Sequence, residues 1–189
     1  MKCGKPILKM EEEFCYDCSK KKHEFDEGRS IWLHRPPVNE AIYAYKYHGL
    51  ECYGSIFGAE MAKEFQKFLV DRKTEVLIPI PLYWKRYWER GYNQAEVLAR
   101  RLGELTGIPV DDVLQRTKAT NPQKQLDDKE RRKNIQGAFS LKREISYRTA
   151  VVIDDIYTTG STLDEAARVL KKAGVGKVYF LTISIGQGF

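Results

Sequence analysis

Two adjacent acids, followed by a glycine set among hydroxyl residues, are the part of the sequence best suited to chemistry. Asp154 and Asp155 end an unbroken apolar run at 150–153, and residues 158–162 read Thr-Thr-Gly-Ser-Thr. The apolar run is typical of a strand buried in a parallel sheet, and ligands of open α/β sheets bind beyond the carboxyl ends of such strands. An amphipathic segment at 163–173 predicts a helix. Its N-terminus would offer free N–H groups and a positive dipole end to a phosphate.

Each residue type in this segment has a distinct expected role. Gly160 lets the backbone approach a ligand closely, and the neighbouring hydroxyls can donate to phosphate oxygens or cap the helix. No lysine follows the glycine, which separates the segment from the phosphate loop of P-loop nucleotide hydrolases. The carboxylates of Asp154 and Asp155 are costly there unless ribose hydroxyls or a magnesium-bound pyrophosphate engage them. A helix cap alone is the disfavoured alternative, because strand, acid pair, turn and helix occur in order.

This arrangement resembles the phosphoribosyl-pyrophosphate motif of type I phosphoribosyltransferases. The resemblance implies that Asp154 and Asp155 face the 2'- and 3'-hydroxyls of ribose and take part in catalysis. It implies phosphoribosyl pyrophosphate as the ligand and Mg²⁺ as the accompanying cofactor. The residues that would hold the 5'-phosphate are Thr158, Thr159, Gly160, Ser161 and Thr162.

The segments that must position this site alternate between helix-like and strand-like patterns. One helix is predicted through the fifties and sixties, and a second is ended by Gly107 and Pro109. Short apolar segments at 75–80, 110–115 and 177–184 predict strands. We therefore expect an α/β domain with a mainly parallel sheet flanked by helices. The two helices are expected to bury Phe57, Met61, Phe65, Phe68 and Leu69, and Ala95, Leu98, Leu102 and Leu105.

Composition limits the class of protein. The 189 residues are 42% hydrophobic and 31% charged, which is typical of a globular chain and gives no case for disorder. No apolar run reaches membrane-spanning length, so we expect no membrane insertion and a cytoplasmic location. The net charge of +6 is a mild bias toward anionic partners. Residues 1–28 are polar and predict a small knuckle, joined to a main domain at 29–189.

The cysteines predict a metal site in this knuckle. Cys15 and Cys18 form a CxxC pair, which in a reducing compartment is typical of half a zinc site or of a redox motif. Charged runs on both sides favour Zn²⁺, because the redox motif expects a strand before it and a helix after it. A structural zinc ion takes four ligands. Cys3 would be the third, and His23 or Cys52 are candidates for the fourth.

Other segments resemble the ComF/GntX family. The stretch at 3–7 with the CxxC pair is similar to that family's zinc finger, although the finger usually opens with a CxxC whose first cysteine is missing here. Together the matches cover nearly the whole chain, which is identified as a member of this family. The other matching elements are Lys46-Tyr47-His48-Gly49, Pro79-Ile80-Pro81, Lys85-Arg86, Arg90-Gly91-Tyr92-Asn93-Gln94, and Gln123, Leu126, Arg131, Asn134 and Phe139 at the family's spacing.

The resemblance also suggests where pyrophosphate and acceptor bind. A pyrophosphate loop is expected after the strand at 75–80, and an acceptor-binding hood at 29–50. Residues 116–134 resemble the mobile loop that closes over substrate in type I enzymes. The pyrophosphate candidates are Lys85, Arg86 and Arg90, with an exposed basic helix face as the alternative. The candidates on the lid are Gln123, Asn134 and a catalytic Arg131, each with a surface position as the alternative.

Aromatic residues interleave with these cations. Tyr83, Trp84, Tyr87 and Trp88 could stack on single-stranded bases while the cations follow the phosphates. The same spacing puts pairs of rings on one helix face, where they would pack on the core. Packing is the favoured interpretation.

Two functions stay open at this point. One is an enzyme that transfers phosphoribose to an unknown acceptor. The other is a module that binds single-stranded DNA or competence and recombination proteins during natural transformation, in which the ComF family is implicated. A nucleotide-responsive regulator ranks last, because no helix-turn-helix pattern is recognisable.

Overall fold

A four-stranded parallel sheet forms the centre of the protein. The computed structural model describes residues 2–7, 11, 13–118 and 133–186. In chain order its strands are β1 (Glu27–Leu33), β2 (Val76–Pro79), β3 (Leu114–Arg116), β4 (Phe139–Leu141), β5 (Thr149–Tyr157) and β6 (Lys177–Ile185). The main sheet has the order β1-β6-β5-β2, while β3 and β4 form a separate antiparallel pair. Because the neighbours in the main sheet pair in parallel, their carboxyl ends share one edge.

Helices cover both faces of this sheet. Val151 and Ile153 of β5 point to one face, and Ala150 and Val152 point to the other, as the two-residue period of a strand requires. The first face packs against α3 and α5, and the second against α6. The expected α/β architecture is therefore confirmed. The helices are α1 (Tyr16–Lys20), α2 (Val38–Tyr47), α3 (Cys52–Asp71), α4 (Trp84–Arg90), α5 (Gln94–Thr106) and α6 (Ser161–Lys172).

The predicted helices and strands differ from the structure in two places. Leu105 is 46% exposed rather than buried, because the inner side of the last turn of α5 is occupied by Gly103, which lies against the returning chain at Ile108. The strand expected at 110–115 is shorter and shifted. Val110 forms a single parallel bridge with Leu77, and regular pairing begins only at Leu114.

The N-terminal segment packs against the second face of the sheet. Cys3 and Phe25 belong to the same buried cluster as Tyr157 and Phe180. The ring of Phe25 meets those of Tyr157 and Phe180 edge-on, with centroids 6.2 and 4.8 Å away. The predicted knuckle therefore contacts the end of β5. Its proposed boundary at residue 28 stays a prediction.

Asp164 joins the same segment to α6. Its carboxylate accepts hydrogen bonds from the His23 Nδ1 atom at 2.9 Å and from the Glu24 backbone N–H at 3.0 Å, and it forms an ion pair with Lys21. Burial opposes ionisation, but the hydrogen bonds from His23 and Lys21 outweigh it and hold the pKa of Asp164 below its ordinary value. The carboxylate thus stabilises the fold at neutral pH, and this contribution is lost as the pH falls through the folded-state pKa.

No helix in the described part of the chain has both the length and the apolar character needed to cross a membrane.

Asp164→Asn tests this attachment. We expect the free energy of unfolding to fall by about 3 kcal/mol at pH 7, because the partly buried Lys21 loses its counter-charge and the buried His23 loses its charged hydrogen-bond partner. Chemical denaturation measures the change. Asp112→Asn is the control, since Asp112 pairs with Lys142 at the surface, where both side chains are more than 40% exposed. That variant should lose less than about 1 kcal/mol, and equal losses in the two proteins would contradict the assignment.

Candidate functional site

A cavity of about 470 Å³ opens at the carboxyl edge of the sheet. It lies where β5 runs into α6, beside residues of α2, α4 and the start of α5. This is the position expected for the ligand of an open α/β sheet. The polar residues that line it are His34, Lys46, Tyr47, Arg86, Glu89, Arg90, Asn93, Gln94, Arg116, Asp154, Asp155, Tyr157, Thr158, Ser161 and Thr162, and Gly160 lines it as well.

The acid pair lies at the cavity wall. Asp155 forms an ion pair with the Lys46 Nζ atom at 2.7 Å, and the Asp155 backbone N–H donates to the Asp154 Oδ1 atom at 2.9 Å. Burial and the neighbouring charge of Asp155 raise the pKa of Asp154 to about 7, although Lys46 and Arg116 partly offset them. The ionised form of a buried carboxylate is stabilised by any ligand that donates hydrogen bonds to it. Ribose hydroxyls are donors of this kind.

The conformation of the turn after β5 depends on Gly160. Gly160 adopts a left-handed conformation with φ +75°, and a Cβ atom at this position would come within 2.7 Å of the Tyr157 hydroxyl. Glycine is thus required both by backbone conformation and by the close approach. Within the described residues, the backbone N–H groups of Thr159, Gly160 and Ser161 donate to no protein acceptor. These amides stand at the N-terminus of α6, where an anion is favoured.

The hydroxyls of this turn are arranged unevenly. Thr158, Ser161 and Thr162 line the cavity together with Gly160. Thr159 does not line it, and its hydroxyl lies 3.1 Å from that of Ser161. Thr159 is therefore placed to orient Ser161 rather than to face the cavity.

Of the three residues predicted to bind pyrophosphate, two line the cavity and one does not. Arg86 and Arg90 of α4 line the cavity, whereas Lys85 is exposed and its Nζ atom lies 5.7 Å from the ring centroid of Trp84. Arg90 donates to the Gln94 Oε1 atom at 2.8 Å and lies 4.9 Å from the ring centroid of Tyr47. Two of the three predicted residues therefore contribute positive charge to the cavity, together with Lys46 and Arg116.

The predicted lid is described only at its ends. Gln123 and Arg131 lie outside the described residues, so their roles stay predictions. Asn134 is described, half-buried in a short helical turn, and does not line the cavity. Arg116 at the other end does line it, and burial lowers the pKa of its guanidinium to about 10.

The aromatic residues of α4 do not pack on the core. Trp84, Tyr87 and Trp88 are 57%, 46% and 79% exposed, and only Tyr83 is half-buried. The packing favoured from the sequence is wrong for these three rings. The cause is that α4 has seven residues and directs Arg86 and Arg90 toward the cavity, which leaves the rings on its solvent side.

Three cysteines come together in the knuckle. The sulfur atoms of Cys3, Cys15 and Cys18 all lie within 4.8 Å of one another, and the Cys3 and Cys15 sulfurs are 3.4 Å apart. A hydrogen bond from Cys18 lowers the pKa of the Cys3 thiol to about 5, and burial raises that of Cys15. Three clustered sulfurs, two of them from buried residues, fit a zinc-finger-like segment.

Neither candidate for a fourth zinc ligand joins this cluster within the described residues. Cys52 is exposed at the start of α3, so the suggestion that it completes the site is wrong. His23 is buried and its Nδ1 atom faces Asp164, while its Nε2 atom has no hydrogen-bond partner in the described structure. It does not lie close enough to all three sulfurs to be grouped with them.

Sequence reasoning missed several cavity residues. Lys46 and Tyr47 belong to a family element to which the sequence assigns no role, and His34 belongs to none of the elements quoted above. The available signal was their position in the predicted hood at 29–50. Their partners are distant in sequence, so spacing alone could not connect them to the acid pair.

Asp154→Asn tests the electrostatics of the acid pair. Because the folded-state pKa of Asp154 is raised, its stabilising contribution is present in acid and lost as the pH rises through about 7. The neutral amide should therefore raise the free energy of unfolding of the ligand-free protein at pH 8, by roughly 2 kcal/mol, and this gain should shrink as the pH falls from about 7 toward about 4, where Asp154 is protonated in both the folded and the unfolded state. Thermal unfolding across this range measures the effect. Asp155→Asn, which removes the partner of Lys46, should give no such gain, and a loss of stability for Asp154→Asn at pH 8 would contradict the assignment.

A family model described as the phosphoribosyl transferase domain matches residues 89–184, which is just over half of the chain. In a search of solved structures, a purine phosphoribosyltransferase from Pyrococcus horikoshii is similar at 18% identity, covering 82% of this chain and 78% of that one with a TM-score of 0.41.

Curated relatives carry names from DNA uptake and use. Competence protein F of Haemophilus influenzae is 32% identical over 183 residues, covering 93% of this chain and 80% of that protein. Competence protein ComFC of Bacillus subtilis is 29% identical over 179 residues, covering 91% and 71%. DNA utilization protein YhgH of Escherichia coli is 28% identical over 171 residues, covering 87% and 74%. The chain therefore belongs to the ComF/GntX family and carries its phosphoribosyl transferase domain.

Proposed function

We propose that this protein binds phosphoribosyl pyrophosphate with Mg²⁺ in the cavity above β5, and that it acts in the cytoplasm on DNA taken up by the cell. The observation that carries the proposal is the juxtaposition of the open amides of Gly160 and Ser161 with the acid pair of Asp154 and Asp155 in one cavity. A sugar phosphate can offer a phosphate group to the amides and hydroxyl groups to the carboxylates. The names of the relatives support the setting in DNA uptake.

Each part of the ligand has a counterpart in the cavity. The 5'-phosphate would accept from the amides and hydroxyls of the turn that holds Gly160, and the ribose hydroxyls would donate to the acid pair. The pyrophosphate would lie toward Arg86 and Arg90. Mg²⁺ would arrive with the pyrophosphate and supply counter-charge.

These contacts suit transfer of the phosphoribosyl group. When the bond from the anomeric carbon to pyrophosphate breaks, positive charge develops on the sugar and negative charge on the leaving group. The arginines can stabilise the leaving group, and a closed lid would exclude water. The acceptor would enter beside the hood, where His34 and Tyr47 line the cavity.

Zn²⁺ is proposed for the cysteine cluster. The three sulfurs fit an ion that prefers thiolates, and they leave one coordination position to be filled. There the ion would have a structural role, because it would tie residues 3–18 to the buried surface that includes Tyr157. Ligand binding would take place in the cavity and not at this cluster.

A second function is supported by the exposed face of α4. Trp84, Tyr87 and Trp88 stand in solvent next to Lys85 and Arg86. Exposed rings among cations can stack on the bases of single-stranded DNA while the cations contact its phosphates. This surface adjoins the cavity through Arg86 and Arg90, so both ligands can bind to one molecule. Competence and recombination proteins are alternative partners for the same face.

Calorimetry with phosphoribosyl pyrophosphate and Mg²⁺ tests the first function. Asp154→Asn/Asp155→Asn should weaken binding at least about tenfold, or roughly 1.4 kcal/mol, since the ribose loses both acceptors. Asp111→Asn/Asp112→Asn is the matched control, because it neutralises two acids that are consecutive in the sequence and lie outside the cavity. No binding by the unmodified protein, or equal affinity in all three proteins, would rule out this site. Release of pyrophosphate with a panel of bases then separates turnover from binding.

Fluorescence anisotropy with a labelled oligothymidylate tests the second function. Trp84→Ala/Trp88→Ala should weaken binding about tenfold or more, since one stacked base contributes about 1–3 kcal/mol. Affinity should also fall steeply with salt. Tyr16→Ala, which removes a ring that is 68% exposed on α1, is the control. Absence of binding at low salt, or equal effects of the two variants, would remove this function.

A further inference from the structure

We propose that Lys46 is a positioning residue, whose ammonium group holds the Asp155 carboxylate in the orientation that receives the ribose hydroxyls. This inference rests on the proposed function and adds to it a residue to which no role has been assigned. It predicts that Lys46 controls the ribose part of ligand binding and leaves the phosphate part unchanged.

The contact between the two side chains is direct and sheltered. The Lys46 Nζ atom lies 2.7 Å from the Asp155 Oδ2 atom, and the side chains are 17% and 13% exposed. Both residues line the cavity. An ion pair this sheltered is less screened than one on the surface, and losing one partner leaves a poorly solvated charge.

The backbone next to Lys46 is firmly anchored. Tyr45 is fully buried, and its hydroxyl donates to the Gln94 backbone oxygen at 2.9 Å. The backbone oxygen of Tyr45 in turn accepts a hydrogen bond from the Tyr92 hydroxyl. The end of α2 is therefore fixed to the start of α5 immediately before Lys46. A lysine stem that begins at a fixed point loses less entropy when its ammonium group is held in place.

Two other cavity cations, Arg86 and Arg90, are directed away from the acid pair. Arg90 donates to Gln94 and to the Tyr47 hydroxyl. Arg86 lies on α4, on the side assigned to pyrophosphate. Lys46 forms an ion pair with Asp155, while Arg116 acts on Asp154 through its charge. An ammonium group has three donors, so one can bond to Asp155 while the others stay available to oxygens of a ligand.

Lys46 therefore acts on one end of the ligand. Its partner Asp155 faces the cavity from the end of β5, whereas the open amides at 159–161 belong to the turn that follows. Removing the ammonium group would free the carboxylate to rotate and to repel Asp154. The turn itself would keep Gly160, its hydroxyls and its amides.

The test measures two ligands in the same proteins. Affinities for ribose 5-phosphate and for inorganic phosphate are determined by calorimetry in the unmodified protein, Lys46→Met and Lys46→Arg. Lys46→Met should weaken ribose 5-phosphate binding about tenfold, the scale of one hydrogen bond between charged groups. It should change phosphate binding less than about twofold at physiological salt. Lys46→Arg, which keeps the charge, should recover most of the loss.

Two further variants isolate the cause. In the Asp155→Asn background, Lys46→Met should weaken ribose 5-phosphate binding by less than about a further threefold, because the carboxylate through which Lys46 acts is absent. Lys142→Met removes a surface lysine paired with Asp112 and should change neither affinity.

The outcomes separate this inference from the proposed function. If the unmodified protein binds neither ligand, the proposed function fails. If it binds both and Lys46→Met leaves the ribose 5-phosphate affinity unchanged, the role of Lys46 is wrong while the site stands. Equal losses for both ligands, or an undiminished effect in the Asp155→Asn background, would show a general structural role and also overturn the inference.

Discussion

Two carboxylates at the end of a buried central strand impose the main constraint on this molecule. The order β1-β6-β5-β2 places β5 inside the sheet, so Asp154 and Asp155 emerge between neighbouring strands. Their charge cannot simply be solvated there, and the raised pKa of Asp154 is the result. Lys46 supplies one counter-charge, and a bound sugar would supply hydrogen bonds. The cavity and the approach of α2 both follow from this requirement.

Aromatic packing imposes a second constraint on the turn that holds Gly160. The Tyr157 ring stacks on Phe180 at 5.0 Å, and Phe25 from the N-terminal segment meets both rings edge-on. The Tyr157 hydroxyl lies so close to Gly160 that a side chain at position 160 would collide with it. The turn is thus supported by aromatic packing on one side and open to ligand on the other. Preorganisation of this kind suits a site that binds anions through backbone amides.

Local sequence patterns predicted the strand, the turn and the helix of the site because all three are specified by adjacent residues. The apolar run, Gly160 and the stripe of α6 need no distant partner. The cysteine cluster was likewise evident from spacing. Lys46 was not assigned, because Asp155 lies more than half the chain away. The rings of Trp84 and Trp88 were misplaced because the same spacing fits a buried face and an exposed one, and only tertiary contacts decide between them.

The packing of the N-terminal cysteines in the same cluster as Tyr157, just before the turn that holds Gly160, has a consequence for genetics. Cys3, Phe25 and Tyr157 share one buried cluster, so an allele that replaces a cysteine also withdraws support from the residues around Gly160. A loss of function in such a strain would not by itself identify a metal-dependent step. The cysteine cluster and the turn around Gly160 belong to one packed region, so the effects of substitutions in either should be interpreted together.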